Sequence, residues 1–196
     1  QDKQMNAIDL LEKYYMQLLK RYIIDQVGSE YFISGKKALQ IHMRDLSIAE
    51  KIFVITRNTN KKIKIGNYEI IFKTISGNIE GKKINLYNKL TSYIVQKDID
   101  GIQLKISGLE LSLLESALIS DVYDGFDMGL LNQVLKKYGS VLNHDIFYEL
   151  GKYKFAMSLN RLKELSKGAY PELSEVFLDV IKKNGGLFIG EGLRGF

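Results

Sequence analysis

The sequence has no cysteine, no tryptophan, a single proline and only two histidines in 196 residues. Without cysteine there is no disulfide, no thiolate metal site and no cysteine nucleophile. A chain of this length manages without such staples, because a domain of this size buries roughly 70% of the surface its unfolded form exposes. The two histidines, His42 and His144, lie in different segments, and neither has a second His or Cys at ligand spacing. A zinc site needs three or four such ligands, so neither a metal nor a cofactor is implied. No apolar run approaches the roughly 20 residues that a membrane-spanning helix requires. The start, Gln1-Asp2-Lys3-Gln4, lacks the basic and then apolar pattern of a signal peptide. These absences give the expectation of a cytoplasmic chain with no membrane partner.

What is present is hydrophobic residues at 45% and a positive charge gathered in one block. Residues 51–97 hold Lys51, Arg57, Lys61, Lys62, Lys64, Lys73, Lys82, Lys83, Lys89 and Lys97 against Glu69 and Glu80 alone, a net of +8. Such a block attracts a polyanion or an acidic partner over long range. It serves equally well as a solubilising surface, and both readings stand at this point.

Residues 5–27 repeat Ile8, Leu11, Tyr15, Leu18, Leu19, Tyr22 and Ile23 at helical spacing, with Leu10, Tyr14 and Met16 widening the stripe. This predicts a largely covered helix that Gly28 ends. Tyr31 to Gly35 reads as a short extended entry, and Ser34 as the cap of a second helix, Lys36 to Met43, with Ala38, Leu39 and His42 turned inward. Residues 51–57 have the β-branched and aromatic density of a buried strand. The alternation of Ile63 and Ile65 with Tyr68, Ile70 and Phe72 around Gly66-Asn67 is a hairpin pattern. Gly77 and Gly81 suggest a loop. A strand over 91–97 turns at Asp100-Gly101 into Ile102 to Ile106. Beyond Ser107 the period becomes helical, with helices at about 127–138, 143–152, 155–167 and 172–183, the last opening near Pro171. Leu187 to Gly190 reads as a last strand or a docked end.

The expected class is α+β. A mixed or antiparallel sheet from about residues 50–106 packs against N-terminal helices and a C-terminal helical bundle.

The search for chemistry finds one acidic pair. Asp98 and Asp100 alternate on a strand and could hold a cation for nucleotidyl transfer. Ser34-Gly35-Lys36-Lys37-Ala38-Leu39 faintly resembles the Gly-rich helix start of nucleotidyltransferases. In that family the acids follow on the very next strand, whereas the next strand here, 51–56, contains none. Asp before Gly101 is favoured simply as a turn former. The tail glycines form no phosphate loop and no Gly-x-Ser-x-Gly elbow occurs. No catalytic residue is assigned, and the expectation is a protein that is not an enzyme. The candidate nucleic-acid or partner surface is Arg57, Lys61, Lys62, Lys64, Lys82 and Lys83. Lys62 and Lys64 share one strand face and Ile63 and Ile65 the other. Lysines there either contact phosphates in a salt-sensitive way or protect a sheet edge from aggregation.

The order of these pieces carries a resemblance. Tyr31-Phe32-Ile33-Ser34-Gly35-x-x-Ala38-Leu39-x-x-His42 is followed by Lys51 to Thr56, the basic hairpin Lys62 to Gly66, Asp100-Gly101-Ile102, and then Ser107-Gly108-Leu109-Glu110-Leu111-Ser112-Leu113-Leu114-Glu115. Over about residues 30–165 this resembles the C-terminal antitoxin domain of the AbiEi family, partners of AbiEii nucleotidyltransferase-like toxins in type IV toxin–antitoxin systems. Where the family has acid–Arg–Thr–Leu–Leu–Asp, Glu110 matches, Leu111 and Ser112 replace Arg and Thr, and Glu115 stands in place of the Asp. The resemblance implies an antitoxin in abortive infection and phage defence that counteracts the toxin without needing a stable complex. Relatives commonly carry an N-terminal winged helix that binds the promoter. Here residues 1–28 read as one helix in that place, ahead of an antitoxin domain over 29–196, β-rich to 107 and helical from 108. Two other readings are a DNA- or RNA-binding transcriptional regulator acting through the basic sheet face, and a degenerate nucleotidyltransferase.

Overall fold

The computed structural model describes residues 7–79, 82–118, 126–153 and 155–185. Helix α1 (Ala7–Val27) ends at Gly28, which takes a φ of 69° and donates its N–H to Ile24 O at 2.8 Å. There follow β1 (Tyr31–Ile33), α2 (Gly35–His42), β2 (Lys51–Thr56), β3 (Lys61–Ile65), β4 (Tyr68–Lys73), β5 (Ser76–Ile79), β6 (Lys82–Asn85), the short α3 (Tyr87–Leu90), β7 (Ile94–Ile99) and β8 (Ile102–Ser107). The rest is helical: α4 (Leu109–Ser116), α5 (Met128–Tyr138), α6 (His144–Leu150), α7 (Ala156–Ala169) and α8 (Pro171–Lys183).

The fold is α+β around a mixed six-stranded sheet of order β3-β4-β2-β1-β8-β7. The sheet reaches outside the expected 50–106. The short entry Tyr31–Ile33 is a central strand, antiparallel to β2 and parallel to β8, with Ile33 opposite both Val54 and Ile106. Its three side chains are buried, because a strand covered on both faces has no polar side to present. Both expected hairpins form. Gly66 takes a φ of 60°, the first position of a two-residue turn, and Asp100 and Gly101 take 51° and 81°.

Two cores flank the sheet. On one face Met16, Leu19 and Ile23 of α1 pack on Tyr31, Ile33, Val54, Ile70, Phe72 and Ile106. On the other, Phe32 and Ile55 join the C-terminal helices through residues such as Leu114, Val134, Phe147 and Phe177. Helix α2 serves both, with Ala38 and Ile41 in the first core and Leu39 in the second. Within the helices, Phe147 and Phe177 meet edge to face at 4.9 Å.

Three expectations are corrected. Leu18, expected under cover in the α1 stripe, is 53% exposed, and Met16 is buried instead. The loop expected at Gly77 is a third hairpin, β5–β6, which forms its own two-stranded sheet. Gly77 is there because a Cβ would come within 2.8 Å of Leu86 Cδ1. Ser34 does not cap α2 with its side chain, for a reason given below. Gly81 and the Leu187–Gly190 segment lie outside the described residues.

Candidate functional site

Residues from the first, second and last pieces of the motif order meet in one buried network. Ser34 Oγ turns away from α2 and donates to Phe53 O at 3.3 Å. The vacated helix start is served from 80 positions away, where Gly35 N–H donates to Glu115 Oε2 at 2.8 Å. A carboxylate at a helix N-terminus satisfies an otherwise orphaned donor and complements the helix dipole. The same oxygen accepts from Ser107 Oγ at 2.6 Å. Ser107 O accepts from Ser112 Oγ at 2.9 Å and lies 2.8 Å from His42 Nε2. Tyr138 OH donates to His42 O at 2.9 Å. Burial pushes the His42 imidazole below its ordinary range, opposed by its contact with Ser107. Glu115, Ser107 and Ser112 are fully buried. The network therefore bolts α2, β8, α4 and α5 together. It also places the chain's own carboxylate at the start of α2.

The acidic pair is engaged in its turn. Asp98 Oδ1 accepts from Gly101 N at 2.8 Å and Oδ2 accepts from Gln103 Nε2. Asp100 is the turn residue with positive φ. Among the described residues no group of three or more His, Cys, Asp or Glu is placed to hold a metal ion.

The six basic candidates separate into three places. Lys61, Lys62 and Lys64 lie on β3, at one edge of the main sheet. Lys61 Nζ donates to Gln26 Oε1 of α1 at 2.5 Å, and Lys62 pairs with Glu69 Oε1 at 2.8 Å. Glu69 is held below the usual carboxylate range, first by the Lys62 hydrogen bond and further by the charges of Lys62, Lys51 and Lys64. One carboxylate thus faces three ammonium groups. Arg57 is engaged within the fold. It pairs with Glu30 at 2.8 Å, donates to Asn88 Oδ1 at 2.8 Å and lies 5.8 Å over the Tyr87 ring, bracing the end of β2 against α3. Lys82 and Lys83 are exposed on the separate β5–β6 hairpin. Lys61 lies on the α1 face of β3 and Lys62 and Lys64 on the other, and Lys73 of β4 joins Lys61 and Lys62 at one groove. Asn60, Lys61, Lys62, Ile71 and Lys73 line a groove of about 410 Å³. Lys73 ends β4, and the sequence marks it only as one more member of the charge block.

Two features had no signal in the sequence. Lys37, next to the more exposed Lys36, is buried, and its Nζ donates to Ser47 O at 2.5 Å. Burial pushes its ammonium pKa down to about 8. Beside the β3–β4 hairpin, an apolar groove of about 340 Å³ runs along α1, lined by residues including Tyr15, Leu18, Ile52, Ile65 and Tyr68. Ile63 turns inward as expected and packs against the α1 core, but Ile65 is 52% exposed at the groove rim. The hairpin tip projects past the helix that would cover it.

Among the described residues no helix is long and apolar enough to cross a membrane. Compared with protein-family models, with curated proteins and with solved structures, the chain matches none.

Proposed function

We propose that this chain is the antitoxin domain of a bacterial type IV toxin–antitoxin system of the AbiEi type. It acts in the cytoplasm in phage defence, counteracts a nucleotidyltransferase-like toxin, and does so without catalysis of its own. The observation that carries the reading is the convergence of the motif residues. Ser34-Gly35, Ser107 and Glu115 are dispersed over 80 positions, yet Gly35 N–H and Ser107 Oγ donate to one Glu115 oxygen. A motif order with no obvious local purpose thereby acquires a physical one, namely to bolt the second helix to the last strand. Glu115 fills the place of the family's Asp with the same chemistry and one more methylene. The non-catalytic part is supported by Asp98, whose two oxygens hold the turn through Gly101 and Gln103.

The test is co-expression with the toxin encoded beside this gene. Relief of toxin-induced growth arrest is expected, and arrest that persists with the chain folded and abundant sinks the proposal.

A second reading, a regulator that binds DNA or RNA, is favoured by the lysine-lined groove at Asn60, Lys61, Lys62 and Lys73. Phosphate contacts there would make affinity fall steeply with salt. Lys61→Glu with Lys62→Glu should abolish retention of a duplex probe at low salt. Retention that is unchanged and salt-insensitive removes this reading.

A further inference from the structure

Strand β3 is the outermost strand of the main sheet, and among the described residues no other strand pairs with its free edge. Its pairing with β4 fixes which backbone groups remain open. The two strands are joined by the two-residue turn Gly66-Asn67, so Ile65 and Tyr68 flank the turn as opposed residues. In such hairpins the flanking pair exchanges hydrogen bonds and the pairs alternate from there. Ile65, Ile63 and Lys61 therefore bond inward to β4, while the N–H and C=O of Lys62 and Lys64 point outward.

The two faces of this edge differ in chemistry. Ile63 packs against the α1-side core. Beyond it Ile65, Leu18 and Tyr68 line the apolar groove and are 52%, 53% and 39% exposed. Lys62 and Lys64 lie on the opposite face, where Glu69 is the carboxylate that answers them. A strand laid along β3 would project alternate side chains to the two faces. One set would meet the isoleucines and the groove, and the other would meet ammonium groups in excess of their carboxylate.

We propose that the β3 edge and the adjoining groove are a docking site for an extended segment of a partner protein in which apolar and acidic residues alternate. The segment adds a seventh strand beside β3. Its apolar side chains enter the groove of Leu18, Ile65 and Tyr68, and its carboxylates pair with Lys62 and Lys64. Charge complementarity selects this occupant. A second copy of β3 would place lysines against lysines, and a nucleic acid would leave the groove and the open N–H groups unused. The inference does not depend on the antitoxin reading, since any acidic and apolar strand meets its terms.

The test uses the whole chain and a capped octapeptide alternating valine with glutamate, followed by calorimetry or fluorescence anisotropy. Controls are a valine–lysine alternating peptide and a peptide with the same valines and glutamates in two blocks. The alternating acidic peptide should bind at least about tenfold more tightly than either control, because charge and periodicity must both match. Lys64→Pro removes an outward N–H without touching a β4 bond, a place where an edge strand accepts proline. It should weaken binding by about tenfold or more, while Lys64→Gln, which removes only an exposed charge, costs about threefold or less. Lys62→Glu with Lys64→Glu should reverse the preference toward the valine–lysine peptide, and as a surface change it keeps the measurement open if the proline variant misfolds. Equal affinity for all three peptides overturns the proposal, as does an equal effect of Lys64→Pro and Lys64→Gln. Self-association of the chain that Lys64→Pro abolishes overturns it too, by assigning the edge to a second copy.

Discussion

Glu115 is the residue on which the two halves of the chain agree. Its Oε2 takes the Gly35 N–H and the Ser107 hydroxyl inside the protein, where either donor left alone would be costly. Glu115→Ala should therefore lower unfolding free energy by about 3 kcal/mol or more. Glu115→Gln, which keeps an acceptor oxygen, should lose less, and urea denaturation midpoints check both. A change within about 0.5 kcal/mol for Glu115→Ala, the range of an ordinary surface substitution, would remove the network from the account. The neighbouring Gly108 is constrained by space, since a Cβ would lie 2.7 Å from the Tyr93 carbonyl oxygen. That oxygen already accepts from Gly108 N at 2.7 Å, so the backbone has little room to give. Gly108→Ala should cost about 1–3 kcal/mol by overpacking, read from the same denaturation curves.

At this scale the sequence was only half legible. Ser34 before a helix looks like a cap because Ser is good at capping its own neighbours. The cap came instead from Glu115, and no local pattern reports an acceptor 80 positions away. His42 and the Asp98 turn were legible because their chemistry is local or their alternatives were absent.

Among elements, Asp127 joins α2 to α5 outside the buried network. Its Oδ1 caps α5 by accepting from Leu130 N at 3.0 Å, and its Oδ2 pairs with Lys36 of α2 at 2.9 Å. The capping N–H, and then Lys36, hold the Asp127 carboxyl below its ordinary value. A depressed carboxylate stabilises above its unfolded pKa, and that contribution is lost as pH falls through the folded one. Asp127→Ala should cost about 1–2 kcal/mol at neutral pH and almost nothing in strong acid. Thermal melts at pH 7 and near pH 2.5 compare the two directly.

The elements most legible in the sequence were those with a clean period. The alternation in β3 and β4 and the primed turns at Gly66 and Asp100-Gly101 appear where expected. The β5–β6 hairpin was not legible, because Ser76-Gly77-Asn78-Ile79 has neither alternation nor β-branched density, and its place depends on Gly77 fitting over Leu86. The exposure of Leu18, in the middle of α1, has a related cause. Periodicity says which side chains share a face, not how much of that face the sheet covers, and Leu18 is left at the groove rim.

Across the whole molecule the candidate site changed more than the fold did. Charge counting joined Arg57, Lys82 and Lys83 to the β3 lysines. The structure instead gives Arg57 to Glu30 and Asn88 and puts Lys82 and Lys83 on a separate hairpin. Nearness in sequence is a poor guide to a shared surface when a chain reverses every few residues. A further property belongs to the molecule as a whole, its alkaline stability. The Lys37 ammonium is lowered to about 8 in the folded chain from 10.5 unfolded. Between those values the unfolded chain binds the additional proton, so stability rises with pH from about 8. Tyr15, raised to about 12 by burial, reverses the trend once unfolded tyrosines begin to ionise near 10. Lys37→Met should stabilise the protein at pH 7 by on the order of 1 kcal/mol and abolish the rise between pH 8 and 10, as measured by chemical denaturation across that range.

As proposed, the chain is an antitoxin that works without chemistry of its own. The direct test is survival of cells induced for the nucleotidyltransferase-like toxin that the proposal makes its partner. Wild-type chain and the Asp98→Asn, Asp100→Asn double variant are each supplied from a second plasmid. Both should restore growth to the same extent. Persistent arrest with the wild-type chain would contradict the antitoxin role, and rescue by the wild type that the acid variant loses would contradict the absence of catalysis.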